Sequence, residues 1–243
     1  MPRSRRQLAC GTSCDKVVPR KMFNPRLSMG SLKGRAGFHP SLKSLKMTLR
    51  IGAGDQKGRL LRAPKRGLTR PTSGRVRAAL FNILGHRLLN AAWLDLYAGS
   101  GIIGLEALCR GAAWATFVEQ DSEACQCIHA NIQTLGLLTS THVWRGAVQE
   151  FLRRPGGLPP TGRLFDLVFA DPPYAAERSS APSAEQLLLL CRQSGKIAPH
   201  AWAIIEHAAR TAMPTESAGW QRTRTYTYGD SAMTVYHPAA QEP

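Results

Sequence analysis

The chain has 243 residues, of which 43% are hydrophobic and 20% charged, so it can bury a core of its own and is not a wholly disordered polymer. No run of 18 apolar residues occurs and no secretory segment opens the chain, which argues against a membrane span and against secretion. Lys plus Arg number 32 against 16 acids, a net +16 that favours polyanionic partners.

Residues 1–46 hold eleven of these cations and a single acid, Asp15, with Pro, Gly and Ser scattered through them. With no sustained apolar period, residues 1–47 are expected to form a disordered extension. A transit peptide, a start codon placed upstream of the true one at Met47, and a nucleic-acid-binding arm all fit its composition. Residues 48–51 and 59–62 read as two short strands joined through Gly52, Gly54 and Gly58, a hairpin signal. Residues 64–71 form a basic loop, after which Thr72 or Ser73 can cap a helix with Val76, Leu80, Ile83 and Leu84 on its apolar face. Arg75 and Arg77 are expected to lie off that face.

From Ala92 onward strands and helices alternate. Strands are predicted over 93–97, 115–118, 142–144, 165–170 and 201–205. Helices are predicted over 102–110, from Asp121 to about Leu135 with Gly136 as its stop, over 148–153 and over 183–192. Residues 222–228 and 233–236 suit a closing antiparallel pair around Gly229-Asp230. Such spacing implies an α/β fold with a doubly wound, mostly parallel sheet. Residues 48–90 then form a small N-terminal hairpin and helix, and 91–243 the main domain.

Three features carry chemistry. Gly99, Gly101 and Gly104 match G-x-G-x-x-G between a strand and a helix, within the stretch Asp95, Leu96, Tyr97, Ala98, Gly99, Ser100, Gly101. Glycines admit a ligand close to the backbone, and the helix start offers free N–H groups. Glu119, twenty residues after Gly99 at the end of the next strand, can accept both hydroxyls of a ribose. These two features indicate a nucleoside-containing cofactor without choosing between a dinucleotide and S-adenosylmethionine. The third, Asp171-Pro172-Pro173-Tyr174, follows the apolar strand 165–170. Two prolines fix the backbone and remove two donors, leaving an acceptor-rich turn suited to a planar amino group, with Tyr174 able to stack on its ring. The six cysteines make no C-x-x-C pair, so no metal site is expected, and reduced thiols suit a cytoplasmic protein.

This D-P-P-Y turn with its glycine loop resembles the amino-methyltransferases that use S-adenosylmethionine. Arg50-Ile51, Lys57-Gly58-Arg59, Arg70-Pro71-Thr72, Arg75-Val76-Arg77, residues 80–84, residues 104–108 and Tyr228-Gly229-Asp230 narrow the match to the RsmD-type methyltransferases, over roughly residues 48–237. That resemblance implies a class I Rossmann-like fold and methylation of a guanine N2 in bacterial small-subunit ribosomal RNA. It implies Asp171, Pro172, Pro173 and Tyr174 as catalytic. It also implies S-adenosylmethionine bound by Asp95, Tyr97, Ala98, Gly99, Ser100, Gly101, Glu119, Gly146 and Ala147. The sequence departs from the family at Ala78, commonly Glu, and at Gly146-Ala147, where an Asp or Asn is usual. Adenine binding is therefore expected to rest on backbone groups there.

The cations of residues 50–77 are expected to meet RNA phosphates, through Arg59, Arg62, Lys65, Arg66, Arg70 and Arg75. The expected partner is ribosomal RNA or the small ribosomal subunit, with no membrane and a monomeric state. An adenine-N6 methyltransferase shares D-P-P-Y, an NAD-dependent dehydrogenase shares the glycine pattern, and a non-catalytic ribosomal RNA-binding protein would share the charge.

Overall fold

The computed structural model describes residues 49–64, 72–173 and 181–239. The first strands, β1 (Leu49–Arg50) and β2 (Leu60–Leu61), pair antiparallel as expected. Helix α1 (Gly74–Leu84) follows, and Ser73 supplies its cap by accepting from the Val76 N–H at 3.3 Å. Then come β3 (Ala92–Leu96), α2 (Ile102–Cys109), β4 (Trp114–Glu119), α3 (Ser122–Leu135) and β5 (Thr141–Arg145). The chain continues through α4 (Val148–Arg153), β6 (Phe165–Ala170), α5 (Ala184–Gln193), β7 (Ile197–Ala208), β8 (Glu216–Ser217), β9 (Trp220–Tyr228) and β10 (Ser231–Pro238).

Local chemistry sets these boundaries. Asp121 caps α3 by accepting from the Ala124 N–H at 2.8 Å, and Gly136 ends it in the left-handed conformation. Ser183 and Gln186 form a reciprocal capping box at the start of α5. The fifth predicted strand, 201–205, is the middle of the longer β7, which gains length by pairing with β6 on one side and β10 on the other.

The large sheet has the order β5-β4-β3-β6-β7-β10-β9-β8 among the described residues. Strands β3 to β7 run parallel, while β10 and β9 close the sheet antiparallel. Strand order reverses between β3 and β6, and ligands in such sheets bind outside the carboxyl ends at that reversal. One face packs Trp93, Phe117, Phe169 and Ile204 against α1, α2 and α3. The other packs Leu94, Val118, Val168 and Ile205 against α4 and α5. Leu49, Ile51 and Leu61 of the hairpin enter the first of these cores.

A buried polar network docks the hairpin as well. Glu106 of α2, 1% exposed, accepts from the Gly52 N–H at 3.1 Å, from Arg77 Nε at 3.3 Å and from Arg110 Nη2 at 2.7 Å. Arg77 also donates to the carbonyls of Thr72 at 3.2 Å and Arg50 at 2.9 Å. The expectation that Arg77 lies off the buried face of α1 is thus overturned. The Glu106 carboxylate draws it inward, which apolar periodicity cannot register. Asn131 of α3 completes the docking, accepting from the Arg62 N–H at 2.8 Å and donating to the carbonyls of Arg62 and Ser100 at 3.0 and 3.1 Å. No helix among the described residues is long and apolar enough to cross a membrane.

Candidate active site

The site stands at the carboxyl ends of β3, β4 and β6. After β3 the chain turns through Tyr97, Ala98, Gly99, Ser100 and Gly101 into α2. Gly99 and Gly101 adopt φ of 54° and 75°, which L side chains rarely do. Gly104 is demanded by packing, because a Cβ there would stand 2.5 Å from the Phe117 ring. Tyr97 also has positive φ, 62°, a strain retained at the centre of the site. Its hydroxyl is buried and has no hydrogen-bond partner among the described residues.

Asp95 lies beneath this loop, 1% exposed, and its Oδ2 accepts from the Gly104 N–H at 2.9 Å. It therefore shapes the cleft through the loop it holds. Burial pushes its carboxyl up to about 8, against the Gly104 bond and helped by the nearby Glu119 charge. Glu119, at the end of β4, accepts from the Gly99 N–H and the Asp121 N–H, both at 2.8 Å. Two such bonds orient its carboxylate and leave acceptor capacity on both oxygens. Gly146 follows β5, its N–H given to the Glu119 carbonyl at 2.9 Å, and Ala147 caps α4. Tyr97, Glu119, Gly146, Ala147 and Pro173 all line one cleft of about 1090 Å³.

Asp171, Pro172 and Pro173 leave β6 next to β3, with the Asp171 N–H 3.4 Å from the Leu96 carbonyl. Here the sheet gathers three carboxyls on one face, from Asp95, Asp171 and Glu206 of β7. Burial foremost, then Glu206, then Asp95, holds the Asp171 carboxyl well above the usual carboxylate range, with the Thr72 hydroxyl opposing. Glu206, 4% exposed, is also raised by burial, and its Oε2 accepts from the Thr72 hydroxyl at 2.9 Å. The local sequence pattern does not single out Glu206, and it gives Thr72 a place only as a helix cap and within the Arg70-Pro71-Thr72 motif. The available signal was a carboxylate at the carboxyl end of an apolar strand, in the position of Asp171 on β6.

The structure thus brings Asp171, Pro172 and Pro173 beside the glycine loop, Glu119 and Gly146-Ala147. Tyr174 lies outside the described residues, as do Lys65, Arg66 and Arg70. Of the other expected RNA contacts, Arg59, Arg62 and Arg75 are exposed. Arg59 reaches the Thr134 carbonyl at 3.4 Å. Among the described residues no group of His, Cys, Asp and Glu has the arrangement of a metal site.

Comparison with known proteins follows the same line. Residues 49–237 match the family described as conserved hypothetical protein 95. The chain is 34% identical to ribosomal RNA small subunit methyltransferase D of Escherichia coli K12 over 193 residues, 79% of this chain and 91% of the relative. It is 35% identical to the protein of the same name from Haemophilus influenzae over 159 residues, 65% of this chain and 78% of the relative. Among solved structures, yhhF of Escherichia coli, which carries a provisional methyltransferase designation, superposes with a TM-score of 0.68 at 34% identity. That match spans 80% of this chain and 99% of the other. An RNA methyltransferase from Salinibacter ruber, solved with S-adenosyl-L-homocysteine, shares the fold at 14% identity with a TM-score of 0.52, over 72% of this chain and 97% of the other. The fold is that of the class I Rossmann-like methyltransferases.

Proposed function

Because the chain belongs to the conserved hypothetical protein 95 family, that of the RsmD-type methyltransferases, we propose that it methylates the exocyclic N2 amino group of a guanine in small-subunit ribosomal RNA. The donor is S-adenosylmethionine. The observation that carries this reading is the placement of Asp171-Pro172-Pro173 beside the glycine loop, where the strand order reverses.

The residues present fit a nucleoside-bearing cofactor. Glu119 keeps acceptor capacity for ribose hydroxyls, the Tyr97 hydroxyl is buried without a partner among the described residues, and space stands open beside Gly99. Tyr97, Ala98, Gly99, Ser100 and Gly101 would hold it with Glu119, Gly146 and Ala147, and Asp95 would keep the loop in shape. When bound, S-adenosylmethionine supplies an electrophilic methyl group. The chain's own residues do the rest. Asp171 and the Pro172 carbonyl accept hydrogen bonds from the amino group and aim the nitrogen lone pair away from the turn. Tyr174 stacks on the base, which must be flipped out of its surroundings to reach the site. Holding both reactants in one geometry supplies much of the rate enhancement. An aryl amine is far too weak an acid to lose a proton early to a carboxylate, so Asp171 receives it as the new bond forms. Its raised proton affinity suits that late role. Arg59, Arg62, Lys65, Arg66, Arg70 and Arg75 would meet the phosphates from the hairpin side.

Tritium transfer from labelled S-adenosylmethionine to undermethylated small-subunit particles, followed by nucleoside analysis, tests this. N2-methylguanosine is the expected product. N6-methyladenosine would overturn the substrate, and RNA binding without transfer would overturn the activity.

A further inference from the structure

Tyr228-Gly229-Asp230 leads from β9 into β10, and the sheet register brings this turn to the same end of the molecule as Asp171. Ala170 of β6 stands opposite Ile205 of β7, so Asp171 falls level with Glu206. Glu206 pairs with Met233 of β10, and Met233 with Tyr226 of β9. Asp171, Glu206, Met233 and Tyr226 thus make one row across four strands, about 14 Å long at ~4.8 Å per strand spacing. Ala208, Ser231 and Tyr228 make the next row toward the carboxyl end of β7.

Side chains two apart share a face of a strand, so Arg224, Tyr226 and Tyr228 stand on one face of β9. Both tyrosines pack against the core that holds Phe169, Ile204 and Met233, which is the face of Asp171 and Glu206. Met233 is fully buried there, whereas Tyr226 and Tyr228 are half-buried and Arg224 is exposed. The Arg224 guanidinium lies 5.2 Å from the Tyr226 ring centroid, so an exposed cation already rests over that ring. Among the described residues β8 pairs with β9 only at Trp220 and Gln221, which leaves residues 223–228 at an open edge.

Charge is arranged around these rings. Arg75 in the first turn of α1, Arg210 after β7 and Arg224 are all exposed. The Ala209 N–H donates to the Asp230 carbonyl at 2.8 Å, which ties the chain beside Arg210 to the β9–β10 turn. The Thr72 hydroxyl donates to Glu206 Oε2 at 2.9 Å, which pins the start of α1 to the row of Asp171. Asp230 is the acid of the turn, and the three cations outweigh it. Aromatic faces take bases of any identity, and cations meet the phosphates between them. Bases in a paired helix are stacked on one another, so such rings select unpaired nucleotides. A protein strand added to the open edge would use backbone groups and need neither ring.

We propose that Tyr226 and Tyr228, flanked by Arg210 and Arg224, form a stacking surface for unpaired RNA nucleotides beside the methylated guanine. This rests on reading the chain as an RNA methyltransferase. A guanine flipped toward Asp171 leaves its neighbours unstacked, and the two rings replace that stacking.

Fluorescence anisotropy of the full chain tests this, with a labelled single-stranded oligoadenylate and an abasic ribose-phosphate oligomer of the same length. The wild type should bind the oligoadenylate roughly tenfold more tightly, as stacking on aromatic side chains allows. Tyr226→Ala combined with Tyr228→Ala should bind both oligomers alike. Tyr226→Phe combined with Tyr228→Phe should keep the preference. Arg224→Gln should weaken both oligomers equally and flatten the slope of log affinity against log salt by about 0.7, the loss of one phosphate contact on a single strand. S-adenosylmethionine affinity should stay within about threefold in every variant.

An unchanged preference in the folded alanine variant, or a wild type that binds the abasic oligomer as tightly, would overturn the surface. Where the alanine variant does not fold, photocrosslinking of the wild-type chain to a thiouridine-substituted single strand decides. Attachment within residues 222–230 supports the surface, and a crosslink map without that segment overturns it. If the base preference depends on the two rings yet the chain methylates no RNA, the proposed function fails and the surface stands.

Discussion

Two strand ends on either side of β3 carry carboxylates in opposite settings. Glu119, after β4, is met by two backbone N–H groups at 2.8 Å, from Gly99 and Asp121. Asp171, after β6, is crowded by two other carboxyls, those of Glu206 and Asp95. Paired donors make a carboxylate a fixed, charged acceptor, suited to holding hydroxyls. Crowded acids make it a stronger base, suited to receiving a proton. In the proposed function the division runs through the reversal point of the sheet: β3 to β5 would present the cofactor half, and β6 and β7 the substrate half.

The sharpest way to break this division is Asp171→Ala. Methyl transfer should fall by roughly 10² to 10⁴-fold, the range for losing a positioned acid–base group. Cofactor affinity measured by calorimetry should change by no more than about threefold. Equal loss of both would erase the distinction between the two halves.

Arg77→Ala attacks the tie between them. Arg77 is 9% exposed at its side chain and paired with Glu106 at 1%. Removing it takes one of two cations from a buried carboxylate, an effect of about 3 kcal/mol on unfolding free energy. Arg110 still pairs with Glu106 at 2.7 Å, which sets the cost at the lower end. Denaturant melts would measure it. A variant as stable as wild type would show that Arg77 adds nothing to the docking of the hairpin.

Glu119→Ala tests the cofactor half by itself. S-adenosylmethionine binding should weaken by ~1.5–3 kcal/mol, the worth of hydrogen bonds to a charged group. RNA affinity should hold. An unchanged dissociation constant would take Glu119 out of the cofactor site.

The smallest expected effect concerns the outer face of the hairpin. Charge reversal of Arg59, Arg62 and Lys65 to Glu should raise the apparent KM for RNA by roughly tenfold and flatten its salt dependence, as fewer phosphates are neutralised. Deleting residues 1–46 should leave most methyl transfer intact. Loss of RNA binding on truncation but not on charge reversal would move the RNA contact to the extension.

Much of this was readable from the chain. Helices α3 and α4, strand β6 and the hairpin follow from local chemistry: Asp121 and Gly136 bracket α3, and an unbroken apolar run marks a strand buried on both faces. The glycine loop and the Asp171 turn were legible for the same reason, since each depends on residues adjacent in sequence. Arg77 was misplaced because its partner, Glu106, lies 29 positions away. Glu206 and Thr72 escaped notice because they meet across 134 positions, through a strand order that no local pattern encodes. The sequence by itself determined the elements, the order of strand and helix, and the two turns that carry the chemistry, because caps, glycines, prolines and apolar runs act over a few residues. Only the tertiary structure decided which carboxylate is paired with donors and which is crowded by its own kind. That outcome depends on which strand ends the sheet places side by side, and on how much water burial removes from between them.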